Sequence, residues 1–574
     1  MLKRFLGYAL LPLTLAACTA AGGDAVASTR APEAPGVVSA ADPRAAEAGV
    51  EMLRRGGSAT DAALATMIAL TVVEPQSSGI GGGGFLLWGG ADGSIETLDG
   101  REAAPMAAGP GWFLGDDGKP RPFMQAVLSG LSVGVPGNVR LAAEAHKAHG
   151  KLEWAELFGP AIKLARDGFV LTERGRDFFT LARNRAAATP AGLALFYDAA
   201  GEPLPAGTVI KNPALAATLE RLAKDGPDAF YSGDNAQAIV TAVSAATPGA
   251  RTMVSGDLEH YAARFREPVC GSYRRWKICG MGPPSSGATT VIAILKQLEG
   301  FDLTALGKDS PVAWHLFAES QRLAFADREL YLADEDFVQV PVKGLIDDTY
   351  LHERGSLISP TSTMASVTAG SPWPGDASPI ARADGDEPPE NGTSHFVAVD
   401  RWGNAVSYTS TVEGSFGSGL MVGGYYLNNE LTDFSFSPEA DGVPVANRVE
   451  PGKRPRSSMA PTLVYDSDGR LVLAIGAAGG ATIPVQVAKA LIGYLDWGLT
   501  AQDAIALPVL YSPGDTITVE EGSALAAMVP ALEALGHTGV APRRLPLKAN
   551  AVEWRDGHWI GAADPRSEGV AVTQ

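Results

Sequence analysis

Two threonines carry the chemistry this sequence suggests, and the first opens the stretch "TSHFVAVDRWGNAVSYTSTVEG" at 393–414. It follows "GSPWPGDASPIARADGDEPPENG" at 370–392, a run rich in Pro, Gly and Asp that holds no core element and reads as a mobile linker. Asn391-Gly392-Thr393 is then an N-x-T glycosylation sequon, a plain loop-to-strand junction, or a place where the chain breaks to make Thr393 a new N-terminus. Only the last is chemistry. A threonine hydroxyl is a weak nucleophile until a base takes its proton, and the threonine's own freed α-amino group is one such base. Gly392 presents the least crowded carbonyl for attack by the Thr393 hydroxyl, so an N-to-O acyl shift and hydrolysis would release that amine without a protease.

The elements around this bond bring in the second threonine. "TSHFVAVD" alternates as a strand, and Arg401-Trp402-Gly403 forms a three-residue hairpin loop with Gly403 in the left-handed position, so Asp400 faces Asn404. Counting outward, Thr393 faces Thr411, which would hold or polarise its hydroxyl, provided no bulge shifts the register. Upstream, Asp42-Pro43 opens a helix that Gly56-Gly57 stops, and Ser58 with Asp61 caps a second helix reaching about Val73, apolar all round and therefore buried. Gly81 to Gly84 lacks the Lys-Ser/Thr of a phosphate-binding loop and precedes a strand, so it reads as a tight backbone passage. Two short strands around Ala91-Asp92-Gly93 then deliver Arg101 just past the second. From about 125 to 345 the pattern is mostly helical. His146 and His149 lie there without a third ligand type, which favours a solvated helix face over a metal site; no metal is expected.

The chain begins "MLKRFLGYALLPLTLAACTAAGG": Lys3 and Arg4, then a short apolar stretch to Leu15, read as a secretory signal over 1–17. Leu15-Ala16-Ala17-Cys18 resembles a bacterial lipobox, which makes Cys18 a lipidation candidate, residues 18–36 a tether and the location a bacterial envelope, periplasmic and membrane-held. A formal net charge of −18 excludes a basic face for nucleic acid. Cys270 and Cys279 flank "GSYRRWKI"; a tight turn at Arg274-Arg275 sets them opposite one another, as a disulfide or as two buried thiols.

Taken in order, "GIGGGGFLLW", "LDGREAAP", "PAIKLARDGF", "MGPPSSG", "TSHFVAVDRWGNAVSYTSTVEGSFGSG", "LNNELTDFS", "GKRPRSSMAPTLV", "GAAGGATI" and "ADPRS" resemble the γ-glutamyltransferases, also called γ-glutamyl transpeptidases or glutathione hydrolases, over nearly the whole chain from Val37. The resemblance implies an α+β fold, the four-layer αββα sandwich of the N-terminal-nucleophile hydrolases. It implies self-cleavage between Gly392 and Thr393 into a large subunit, 37–392, and a small one, 393–574, intertwined in one catalytic domain with no cofactor. The donor would be glutathione or a related γ-glutamyl compound, and the acceptor water, an amino acid or a peptide.

By the same resemblance Arg101 matches the family's arginine for the donor α-carboxylate, a planar fork suited to that group, with Ser457 and Ser458 assisting. Glu413, Glu430 and Asp433 match the positions that receive the α-ammonium; three clustered carboxylates repel one another unless a cation sits among them, and a bound ammonium would supply it. Gly479 and Gly480 match the pair whose amides form the oxyanion hole. The segment Phe434 to Gly452 replaces a variable lid and shows no obvious aromatic gate. Two other readings stand beside this one: an acylase of the same fold acting on glutaryl-type side chains such as cephalosporin derivatives, which lack the ammonium, and a non-catalytic envelope lipoprotein that keeps the fold for binding.

Overall fold

Ser58 accepts a hydrogen bond from the Asp61 amide while Asp61 accepts one from the Ser58 amide, and this reciprocal cap starts the helix Ala59–Val73, every residue of which is buried. The preceding helix, Pro43–Arg54, begins at the Asp42 cap with Pro43 at its first position. These details belong to a computed structural model that describes residues 34–373 and 392–574. The proposed signal, Cys18 and most of the tether, and Asn391 with most of the linker, lie outside the described residues.

Both helices cover one face of a seven-stranded antiparallel sheet, ordered 570–573, 37–40, 392–399, 405–413, 83–89, 95–100 and 264–266. A six-stranded antiparallel sheet, ordered 558–563, 548–555, 471–478, 462–465, 276–280 and 269–273, stacks on its other face. Helices Gly287–Gln297, Pro311–Tyr331 and Ile483–Leu495 cover the far side of that second sheet. Three apolar layers result: Leu70, Leu86, Phe396 and Tyr408 between helices and first sheet, Val37, Leu87, Val397 and Val552 between the sheets, and Val464, Ile475 and Leu491 under the outer helices. The architecture is the α+β, four-layer αββα sandwich that the sequence led us to expect. No helix among the described residues is long and apolar enough to cross a membrane.

Local expectations hold where they rest on turn chemistry. The glycine run passes under neighbouring backbone so closely that a Cβ at Gly82 would sit 1.9 Å from the Thr411 carbonyl oxygen. Cys270 and Cys279 face one another across the Tyr273/Trp276 turn, and the structure joins them in a disulfide. The histidine helix face differs from expectation. His146 and His149 are half-buried, with the His146 ring bonded to the Leu152 carbonyl and edge-on to Trp154, and the His149 ring bonded to Glu96 and stacked on Trp88. Aromatic neighbours more than forty residues away by way of Trp88, and a turn away by way of Trp154, draw these rings inward, and no helical periodicity signals that.

Candidate active site

Strands Gly392–Val399 and Ala405–Glu413 pair in the expected register, with Asp400 and Asn404 closing the loop and Thr411 opposite Thr393. The bulge that could have shifted the pair lies one step beyond it, between Thr411 and Glu413. Alternation sends His395, Val397 and Val399 between the sheets, and Thr393 shares their face.

At the end of this strand the hydroxyls converge on one carbonyl. Thr393 Oγ1 donates to the Gly392 oxygen at 2.5 Å, Thr411 Oγ1 donates to the same oxygen at 2.6 Å, and the hydroxyls stand 3.2 Å apart. Thr411 Oγ1 in turn accepts the Glu413 amide at 2.8 Å, which orients it. A side chain at Gly392 would strike the Glu413 carbonyl oxygen at 2.6 Å, so glycine is required beside this carbonyl. The arrangement puts an alcohol oxygen next to the preceding carbonyl and a second alcohol on the oxygen where negative charge would build during attack.

His395, two residues on, is not a free base. Its Nδ1 lies 2.8 Å from Thr409 Oγ1, its ring lies against Gly476, and burial drives its pKa down to about 3. Ser394 points to the helix side, where its hydroxyl donates to Glu74 at 2.7 Å and Lys548 reaches both groups, at 3.0 Å and 3.3 Å. Lys548 pairs with Ala478, so the turn through Gly479 and Gly480 leaves its strand beside the Thr393 end of the other sheet. Both glycines are buried and have positive φ, 130° and 59°, a backbone that side-chain-bearing residues rarely adopt.

The charged half of the site gathers Arg101, Glu413, Glu430 and Asp433, all buried. The expectation that the carboxylates wait for an outside cation needs correction. The Arg101 guanidinium pairs with Glu430 and Asp433 and donates to the Pro455 and Arg456 carbonyls at 3.2 Å and 2.8 Å. The physical reason is that an unpaired buried charge costs several kcal/mol, roughly what separates a stable site from an unstable one, so the site's own arginine and acids neutralise one another. Ser457 and Ser458 sit beside this cluster but are turned to structural partners: Ser457 Oγ accepts the Met459 amide at 3.2 Å, and Ser458 Oγ accepts from Arg328 at 2.7 Å.

Three further residues join the cluster that sequence reasoning did not single out. Glu102, fully buried next to Arg101, lies within carboxyl-to-carboxylate hydrogen-bonding reach of Glu430, and burial lifts it to about 7 against the pull of Arg101. Asn429 donates to Glu413 and accepts the Gly414 amide at 2.9 Å, and Arg185 opposes the burial that lifts Glu413 to about 8. Glu430 is also raised, by burial and despite Arg101. Glu413 itself has φ 72°, the left-handed conformation at a non-glycine residue, which surrounding structure must hold in place. Asn429 and Glu430 stand side by side in "LNNELTD", and the Asn pair was the available signal.

Phe434–Gly452 contains a short hairpin, Glu439–Ala440 with Val443–Pro444. Its aromatic residues fold inward: Phe434 is buried, and Phe436 stacks on Phe113 with centroids 4.3 Å apart. Asn447 ties the segment to the site by donating to the Asp433 carbonyl at 2.7 Å and accepting the Arg456 amide at 2.9 Å.

A four-layer sandwich with a threonine at the start of a central strand is the arrangement of the N-terminal-nucleophile hydrolases. The chain belongs to the gamma-glutamyltranspeptidase family, whose model matches residues 45–574. It is 36% identical to a glutathione hydrolase proenzyme of Bacillus subtilis (strain 168), over 94% of this chain and 91% of that one. It is also 36% identical to the acylase ACY 1 proenzyme of Pseudomonas sp. (strain SE83), over 94% of this chain and 93% of that one. Among solved structures, a cephalosporin acylase from Bacillus halodurans superposes with a TM-score of 0.81 at 26% identity, covering 94% of this chain and 96% of that one. Family membership makes the chain an enzyme and sets aside the reading as a non-catalytic binding lipoprotein.

Proposed function

We propose that this enzyme is a glutathione hydrolase and γ-glutamyltransferase that cuts its own chain between Gly392 and Thr393 and then uses Thr393 as its nucleophile. The convergence of both threonine hydroxyls on the Gly392 carbonyl is the observation that carries this reading. In the first step Thr393 Oγ1 bonds to the Gly392 carbonyl carbon and the Gly392–Thr393 C–N bond breaks, giving an ester and a free amine. Water then splits the ester, leaving a Gly392 carboxylate and a Thr393 with both hydroxyl and α-amine. Thr411, as donor to the carbonyl oxygen, would lower the barrier by about 3 kcal/mol, the usual worth of one such donor. With His395 held neutral and occupied, the new amine is the base for the second reaction.

In that reaction Thr393 takes the γ-glutamyl group, the amides of Gly479 and Gly480 face the tetrahedral oxygen, and water, an amino acid or a peptide resolves the ester. The donor is a zwitterion, and this suits a site that already holds an internal ion pair. Its α-carboxylate would take over Arg101, aided by Ser457 and Ser458, while its α-ammonium takes over Glu430, Asp433 and Glu413. The exchange keeps every buried charge paired, which inserting a single charge could not do. The large subunit would be 37–392 and the small one 393–574. Cys18 would carry a lipid anchor holding the enzyme at the periplasmic side of a bacterial envelope.

Denaturing electrophoresis with N-terminal sequencing tests the cut: two chains are expected, the smaller starting Thr-Ser-His-Phe, and one band unchanged by Thr393→Ala would refute it. Comparing γ-glutamyl and glutaryl anilides tests the donor. The relation to acylases favours running both, and a preference for the glutaryl compound would reassign the substrate while keeping the nucleophile. Labelling with radioactive fatty acid, expected in the wild type and absent from Cys18→Ser, tests the anchor.

A further inference from the structure

Far along the chain from the threonines, His315 and Glu319 stand one helical turn apart on Pro311–Tyr331, and His537 meets them from the loop after the helix Val529–Ala534. All three are buried, His537 with 6% of its surface exposed, while its neighbours Gly536 and Thr538 are exposed. One ligand atom from each lies within 4.8 Å of the others.

The hydrogen bonds determine where the protons are. His315 Nε2 lies 2.8 Å from the Ser359 carbonyl oxygen, which only accepts, so in the neutral ring this nitrogen carries hydrogen and His315 Nδ1 carries a lone pair. His315 Nδ1 is 2.6 Å from His537 Nε2, so His537 must donate there, and its Nδ1 is left bare. That bare nitrogen faces Glu319 Oε1 at 3.8 Å, and it has no hydrogen-bond partner among the described residues. One proton is thus shared between His315 Nδ1 and His537 Nε2, and the Glu319 carboxylate stands beside it against the other nitrogen of His537. Glu319 is itself oriented by Arg322 and Thr363, each at 2.8 Å, and by the Met364 amide at 2.6 Å. Arg322 also pairs with Asp515 at 2.7 Å, so the local balance of two carboxylates and one guanidinium leaves one negative charge.

We propose that His315, Glu319 and His537 form a binding site for a divalent transition cation of the zinc class, in place of the shared proton. Two imidazoles and a carboxylate are a suitable donor set, with a water to complete a tetrahedron. The Ser359 carbonyl serves His315 as the outer partner that fixes a metal-binding tautomer. Tetrahedral ligands on zinc stand about 3.3 Å apart, so binding would open the 2.6 Å His315–His537 contact by under about 1 Å and draw together the more widely spaced ligand atoms, now within 4.8 Å, by up to about 1.5 Å. The ion would tie the helix to a segment more than two hundred residues later in the chain, as a structural clamp remote from Thr393.

Calorimetric titration of the chelator-stripped full protein with Zn²⁺ should show one site per chain, and Zn²⁺ should raise the melting temperature. His537→Gln and Glu319→Gln should each weaken binding by at least about tenfold. Co²⁺ in the site should give the visible absorption of a four-coordinate ion, absent from His537→Gln. No stoichiometric binding, or a site that both substitutions leave intact, overturns the proposal. Should Glu319→Gln fold poorly because Arg322 loses its partner, His537→Gln alone decides by the same two outcomes.

Discussion

The two halves of the active site are built on opposite principles. Around Gly392, Thr393 and Thr411 there is no charge; two adjacent strands supply every group, and each hydrogen bond follows from backbone register. Around Arg101 there are four buried carboxyl groups, drawn from the segments near 102, 413 and 430–433; Glu430 and Asp433 pair with Arg101, and burial raises Glu102, Glu413 and Glu430. The contrast teaches that the reacting end can be complete before any substrate arrives, whereas the recognition end holds an internal ion pair that a substrate must displace with charges of its own.

Substitutions should separate the halves. Thr393→Ala attacks the first at its centre: the chain should stay whole, and γ-glutamyl anilide turnover should fall by at least about four orders of magnitude, as when a nucleophile is removed from other hydrolases. Thr411→Val keeps the shape but removes the donor to Gly392, so the cut should slow by roughly 100-fold, followed on gels over time, without loss of melting temperature. Arg101→Met attacks the second half and should do the reverse. It leaves buried acids unpaired, so unfolding should show a loss of about 3–5 kcal/mol, and any enzyme recovered should still be cut. If Arg101→Met also blocked cutting, the halves would not be independent.

The smallest effect concerns pH. Glu102 has its folded pKa raised to about 7 from an ordinary 4.5, so the folded protein holds a proton that the unfolded chain gives up. The stability linked to that proton is fully present below about pH 4.5 and is lost as pH rises through about 7. Glu102→Gln keeps the neutral form, so relative to wild type it should be more stable at pH 8 than at pH 5, by on the order of 2 kcal/mol in denaturant titrations. An equal difference at both pH values would show that Glu102 is ionised throughout.

The same contrast explains what the sequence made legible. The threonine pair could be read because one loop of three residues sets the register of a hairpin, and the Cys270–Cys279 pairing follows from a turn in the same way. Arg101 and the three acids came from resemblance to a family, since no spacing connects residue 101 to residue 430. Their mutual pairing stayed hidden because it follows from burial, and burial depends on which layers stack. Glu102 looks like any loop acid in "DGREAAP", and only the packing of Gly83 and Gly134 against it encloses its carboxylate. His537 was invisible for the same reason: His315 and Glu319 show helical spacing, but their partner is over two hundred residues away.

Strand order has one more consequence. In both sheets, strands from before residue 373 alternate or abut with strands from after residue 392: Gly392–Val399 lies between Val37–Ala40 and Ala405–Glu413, and Thr462–Tyr465 zips onto Trp276–Gly280. A chain divided at Gly392 would therefore yield two pieces woven through both sheets, with the core between the sheets shared by the two. Dilution would have no hold on such a pair, and parting them would mean unravelling the cloth. Weaving has to come first and the scissors second, so a precursor expressed as two separate pieces would face a search between molecules for contacts that one chain finds by folding back on itself.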